Sequence, residues 1–254
     1  MTGLRLDGTW IIDLDGVVWL SAAPVPGGDE AVSAIRAAGG RVVFATNNSA
    51  PTHGALVARL HAAGIEAEPC DLVTSADAVA SMLSPGERTM VVGDEGILEA
   101  LENRGVLVPS QPPFDAVVVG WTRRFDFDVI AEAAQAVRRG ARLLGTNDDP
   151  THPTPERLLP GSGAILAAVA TAAQTDPEVA GKPHAPTVSL LRERAPDALV
   201  VVGDRPSTDG RLAERLELPF ALVRSGVTRP DDSVDAVVPD FDASDLLDLV
   251  GSCR

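Results

Sequence analysis

Ile11-Ile12-Asp13-Leu14-Asp15-Gly16-Val17 is the stretch on which the reading of this chain turns. An apolar run ends in two carboxylates one residue apart, and the glycine behind them lets the backbone turn away. At a strand end both acids can face one ligand. A carboxylate placed so can attack phosphorus, and a second one nearby can donate and retrieve a proton. Taken alone, Asp-x-Asp-Gly is equally a polar exit from a strand into a loop. The rest of the chain decides between the two.

On both sides of it, Val/Ile-rich runs alternate with Ala-rich stretches, the pattern of βα units feeding a mainly parallel sheet. Strands are expected at Trp10–Leu14, Arg41–Thr46, Thr89–Gly93, Ala116–Gly120, Ala141–Gly145, Ala198–Gly203 and Phe220–Val223. Helices are expected at Asp29–Ala38, Thr52–Ala63, Glu95–Arg104, Phe127–Arg139, Gly163–Ala173 and Ala185–Arg194. The fold class is α/β: a doubly wound, Rossmann-like parallel-sheet core over residues 1–85 and 181–254, with a smaller inserted α/β cap domain over 86–180. The Pro/Gly-rich exit of the insertion, Pro150 to Gly163, reads as loops with no sheet. Chemistry in such sheets gathers at the carboxyl ends of the strands.

The 254 residues suffice for a large domain with a proper interior. With 45% hydrophobic and 22% charged residues, the composition is that of an ordinary globular protein. The N-terminus lacks the layout of a secretion signal, and no apolar run reaches the ~20 residues of a membrane span. Cys70 and Cys253 cannot build a disulfide framework, so a reducing cytoplasm is the expected compartment. A net charge of −15 without a Lys/Arg run argues against nucleic acid. An anionic substrate stays compatible, because surface charge is screened over about 8 Å in physiological salt.

Three further sets of residues follow strands or precede helices. Thr46-Asn47-Asn48 offers a hydroxyl and amides to phosphoryl oxygens, although Asn48 or Ser49 could equally cap the following helix. Lys182, in Gly181-Lys182-Pro183, offers a cation. It is no nucleotide P-loop, since Asp176 and Pro183 stand where that motif needs glycine and Ser/Thr. Gly203-Asp204, with Asp209 five residues on, can put one carboxylate on a metal and another behind it. Val91-Val92-Gly93-Asp94 repeats the same letters before Glu95-Gly96, and Asp94 reads better as a helix N-cap. No Gly-x-Ser-x-Gly supports a serine hydrolase, and Leu166 breaks a dinucleotide fingerprint at Gly161-x-Gly163.

In this combination and order the chain resembles the haloacid dehalogenase-like superfamily over nearly its whole length. Asp13 to Trp19, Ala45 to Ser49, Asp115 to Gly120, Gly145 to Asp149, Pro160 to Gly163, Gly181 to Pro183 and Leu222 to Val227 are similar to one branch. That branch holds p-nitrophenyl, phosphoglycolate, pyridoxal phosphate and glycerol-phosphate phosphatases. The resemblance implies a phosphomonoesterase with Asp13 as nucleophile and Asp15 as general acid/base. It implies Thr46, Asn47, Asn48 and Lys182 as phosphate ligands, and Mg2+ on Asp13, Asp204 and the carbonyl of Asp15, with Asp209 behind. The oxygen-only donor set suits magnesium better than zinc.

The implied substrate is a small phosphorylated metabolite, first glycerol 3-phosphate or 2-phosphoglycolate, then pyridoxal phosphate. The loop from Asn147 to Thr154 is expected to read it, with Asn147 and His152 as specificity candidates. Members of the branch can pair through their caps, so a homodimer is compatible. The chain departs from the branch at Thr122, Pro206, Ser207 and Gly210. A phosphotransferase would share the same chemistry, whereas a dehalogenase would not need Asp15. In a signalling receiver the paired acids precede the phosphorylated one and no cap interrupts the sheet. A non-catalytic phosphate binder would not need both Asp13 and Asp15.

Overall fold

The structure is a computed structural model describing residues 4–21, 23–153, 157–234 and 236–253. The chain divides into two compact units. One comprises the chain up to Thr46, Gly54–Val73 and everything from Val188 onward; the other comprises Asn47–His53 and Thr74–Thr187.

Six strands form the sheet of the first unit, in the spatial order Phe241–Ala243, Phe220–Val223, Ala198–Gly203, Thr9–Ile12, Arg41–Thr46 and Leu72–Thr74. Neighbours from Phe241–Ala243 to Arg41–Thr46 pair in parallel. Alternate side chains enter two apolar layers. Trp10, Ile12, Phe44, Val200 and Val202 point to one, with Ile35 of helix Gly28–Ala37 and Leu249 of helix Leu246–Gly251. Ile11, Val43, Val201 and Leu222 point to the other, with Leu191 of helix Ala185–Arg194 and Leu212 of helix Arg211–Leu216. Burial on both faces is why these strands read as unbroken apolar runs.

The second unit has a four-stranded parallel sheet, ordered Glu178–Val179, Arg142–Gly145, Ala116–Val119 and Thr89–Val92. Val117, Val119 and Leu143 pack with Ala133 and Val137 of helix Phe127–Arg138 and with Ile165 and Val169 of helix Ser162–Ala173. The α/β class expected from the sequence is the one observed.

One expectation needs correction. The Pro/Gly-rich exit contains an antiparallel ribbon, Thr151–Pro153 against Leu158–Pro160. A two-stranded ribbon consists of edges, where a proline's missing N–H removes no ladder bond on the open side. Asp94 does hold the N-cap position of helix Glu95–Asn103, but without a side-chain cap bond. Its carboxylate accepts instead from the Thr122 hydroxyl at 2.8 Å and from Arg124 at 3.1 Å, which gives the departure at Thr122 a partner.

Helix Ser75–Ser81 has no counterpart among the expected elements. A capping box opens it: Thr74 Oγ1 accepts the Asp77 N–H at 3.1 Å and the Asp77 carboxylate accepts the Thr74 N–H at 2.8 Å. No helix among the described residues is long and apolar enough to cross a membrane.

Candidate active site

The first strand delivers Asp13 to its carboxyl end. The backbone ladder runs one step further, with Asp13 N–H donating to the Val202 carbonyl at 2.9 Å. Asp13 therefore sits beside the end of Ala198–Gly203, which carries Asp204. A five-residue π-helical turn, Pro206–Gly210, brings Asp209 back towards them. Gly210 has no side chain because a Cβ there would press on Val237 and Phe220. One carboxylate oxygen from each of Asp13, Asp204 and Asp209 lies within 4.8 Å of the others, and the three residues are 7%, 3% and 1% exposed.

Asp204 is held from behind by the segment Leu222 to Val227. The Val227 N–H donates to Asp204 Oδ2 at 2.5 Å. A Cβ on Gly16, at φ +95°, or on Gly226 would collide with that carboxylate. Ser225 Oγ ties the two glycine turns together by donating to the Gly16 carbonyl at 2.7 Å. Asp209 Oδ2 accepts the Arg205 N–H at 3.2 Å.

Three carboxylates this close and this buried repel one another, at about 4 kcal/mol per pair for a 4 Å separation near a protein surface. A bound dication offsets that repulsion. The donors are all hard oxygens, with no His or Cys in the cluster, so the residues present fit magnesium. Asp15 is half-buried and accepts the Trp19 indole N–H on Oδ1 at 3.0 Å.

Thr46 ends its strand at 3% exposure, in the same unit as the acids. Asn47 opens the second unit, and its side chain meets Lys182: Oδ1 accepts the Lys182 N–H at 2.7 Å, while Nδ2 donates to the Lys182 carbonyl at 3.1 Å and to Asp149 at 2.9 Å. Ladder bonds from Ala180 N–H to Gly145 and from Gly181 N–H to Thr146, at 3.0 and 2.7 Å, carry the chain to buried Lys182. Asn48 Oδ1 accepts the Ala50 N–H at 3.2 Å, and Ser49 Oγ donates to Thr146 at 3.1 Å. Both shape the turn ahead of helix His53–Ala62.

Asn147 is 3% exposed, and its amide donates to the Asn47 carbonyl at 2.6 Å and to Ser162 at 3.2 Å. His152 lies on the ribbon with its ring 5.4 Å from that of Trp121, tilted by 44°. Thr154, at the end of the expected reading loop, lies outside the described residues. Sequence reasoning gave no role to Trp19 or Val227, and Asp149 entered only as part of the expected reading loop. All three lie in stretches similar to the branch, Asp13 to Trp19, Gly145 to Asp149 and Leu222 to Val227, which was the signal available.

A family model described as haloacid dehalogenase-like hydrolase matches residues 10–107, and one described as HAD-hydrolase-like matches residues 179–249. The chain is 39% identical over 238 residues to a D-glycerol 3-phosphate phosphatase of Mycobacterium tuberculosis, covering 89% of this chain and 65% of that protein. The chain thus spans just under two thirds of that relative's length. It is 33% identical over 231 residues to a dihydroxyacetone phosphatase of Corynebacterium glutamicum, covering 87% and 82%. Among solved structures, glycerol phosphate phosphatase from M. tuberculosis in complex with magnesium matches with a TM-score of 0.88 at 34% identity, covering 98% of this chain and 78% of that one.

Proposed function

The chain belongs to the haloacid dehalogenase-like hydrolases, and from that premise we propose that it is a magnesium-dependent phosphomonoesterase of small phosphorylated metabolites, with glycerol 3-phosphate the first substrate to test. The observation that carries the reading is the buried cluster of Asp13, Asp204 and Asp209 with Asp15 two residues beyond the nucleophile. The names of both relatives point to three-carbon skeletons.

A carboxylate oxygen of Asp13 attacks phosphorus, the ester P–O bond breaks, and the departing oxygen takes the proton carried by Asp15. Water then attacks the phosphorus of the aspartyl phosphate and gives a proton to Asp15. The bond to Asp13 breaks, inorganic phosphate leaves, and both acids return to their starting states. Asp13, Asp204 and the Asp15 carbonyl hold magnesium, which neutralises charge that would otherwise repel a phosphate dianion. Asp209 supports Asp204. Thr46, Asn47, Asn48 and Lys182 belong to phosphate binding, Lys182 by direct charge and Asn47 through its grip on Lys182.

His152, whose ring lies tilted beside that of Trp121, is the residue we assign to reading the alcohol portion of the substrate. A screen of phosphorylated metabolites, including 2-phosphoglycolate and pyridoxal phosphate, against wild type, Asp13→Asn and His152→Ala tests these assignments together. Loss of all turnover in Asp13→Asn with a changed substrate ranking in His152→Ala supports them. Wild-type turnover in Asp13→Asn refutes the mechanism, and an unchanged ranking removes His152 from specificity. Transfer of phosphate to an added alcohol in place of water would make the protein a phosphotransferase.

A further inference from the structure

The loop that follows Asp13 is unusually closed. Val17, Val18 and Trp19 N–H groups all point to the Leu14 carbonyl, at 3.3, 2.9 and 3.2 Å, and the Gly16 N–H returns to the Trp19 carbonyl at 2.7 Å. Asp15 and Trp19 also face each other as a β-bridge. A chain turning this tightly needs the positive φ of Gly16. Its effect is to bring the Trp19 ring, 1% exposed, against the Asp15 carboxylate, with Nε1 donating to Oδ1 at 3.0 Å.

Arg59, on helix His53–Ala62, lays its guanidinium over the same ring, with Cζ 3.9 Å from the centroid. Among the described residues its buried Nη2 has no hydrogen-bond partner. Burial lowers the Arg59 pKa and the Asp15 charge raises it, the net direction being down. A guanidinium that leaves a donor unsatisfied is held by the indole face, an arrangement in which Trp is the strongest aromatic partner.

We infer that Trp19 is a positioning residue for Asp15, selecting the carboxyl oxygen that carries the catalytic proton, and that Arg59 braces the indole in that position. The inference rests on the reading of Asp15 as general acid/base. An indole N–H only donates, so Oδ1 must stay an acceptor throughout the cycle. The transferred proton is therefore carried by Oδ2. The torsion that turns a carboxyl group is broad and two-fold, and this single bond pins it. A buried Trp commonly finds a partner for its N–H for packing reasons alone. The two roles separate by what happens to proton transfer.

The test measures kcat/KM over a series of phosphate esters, from p-nitrophenyl through phenyl to glycerol 3-phosphate, so that the leaving group needs a proton more and more. Trp19→Phe keeps the ring and removes the N–H. It is expected to lose about 10-fold on glycerol 3-phosphate, a fraction of the 10²–10⁴ attributed to a general acid, and less on p-nitrophenyl phosphate. Dependence on leaving-group basicity then steepens. Arg59→Met, which keeps the stem, should steepen it by a smaller factor and decides the matter if Trp19→Phe fails to fold.

An equal loss across the series, or no loss, in the folded variants overturns the inference. Asp15→Asn is the control. If it steepens the dependence and the Trp19 and Arg59 variants do not, the inference alone fails. If Asp15→Asn leaves the dependence flat, the acid/base assignment itself falls and the inference with it.

Discussion

Asn47 closes on Lys182 with both ends of its amide, Oδ1 receiving the lysine's N–H and Nδ2 reaching its carbonyl, at 2.7 and 3.1 Å. The same Nδ2 also holds Asp149 at 2.9 Å. Asn47→Asp keeps the acceptor, loses the donor and sets a carboxylate against Asp149. Two part-buried hydrogen bonds of this kind are worth about 1–3 kcal/mol together, so kcat/KM for p-nitrophenyl phosphate should fall by about 10-fold or more. Competitive inhibition by inorganic phosphate should weaken in parallel, which steady-state kinetics will show. Undiminished phosphate inhibition would separate Asn47 from Lys182.

Gly226→Ala puts a methyl group where the Asp204 carboxylate lies. The backbone there can adjust only by moving Val227, whose N–H is the partner of that carboxylate. Loss of such a supporting contact typically costs 10–100-fold in metal affinity. Titration calorimetry with magnesium should show a loss of about that size in a protein whose far-UV spectrum is unchanged.

Removing magnesium should abolish turnover and lower the melting temperature, since Asp13, Asp204 and Asp209 are then left to repel one another. Restoring magnesium should reverse both. Calcium should restore the melting temperature better than the activity, being larger and less strictly octahedral. Full turnover in excess chelator would contradict the metal assignment.

Asp77 links three elements: it completes the Thr74 cap, and its Oδ2 lies 3.0 Å from His53 Nε2 while Glu99 accepts the His53 N–H at 2.7 Å. Burial pushes the Asp77 carboxyl up, but the bonds from His53 and Thr74 outweigh it and the pKa is lowered. A carboxyl lowered on folding stabilises above its ordinary value, about 3.9, and loses that contribution as pH falls through the folded value. Asp77→Asn should therefore destabilise by about 0.5–2 kcal/mol at neutral pH, the range of a lost cap. The difference from wild type should shrink below about pH 4, as thermal melts across pH will show.

How much of this the sequence disclosed depends on what each residue's role rests on. Arg41–Thr46, Ala198–Gly203 and Phe220–Val223 were readable to the residue because sheets covered on both faces demand continuous apolar runs. Phe241–Ala243 and Leu72–Thr74, three residues each, lie at the ends of that sheet and leave no periodic trace. Asp13 and Asp204 were readable as acids at strand ends, and Asp209 as a further acid five residues on. The side-chain duties of Asn47 and Asn147 were not, because their partners at Lys182, Asp149 and Ser162 come from far along the chain. The pairing of Trp19 with Asp15 is local, yet it depends on a turn geometry that the letters Gly-Val-Val do not specify.

The middle of the six-stranded sheet has a consequence for how the protein is made. Thr9–Ile12, which precedes both its partners in the chain, pairs on one side with Arg41–Thr46 and on the other with Ala198–Gly203. Until the later strand is synthesised, the early one presents an open apolar edge, a template for sticking to other nascent chains. Contacts so distant in sequence also make folding slow. A polypeptide that terminates before Ala198 would keep Asp13 and still lack the neighbour that fixes it. Translation arrest in that interval is therefore expected to yield chaperone-bound or aggregated product in place of a smaller working enzyme.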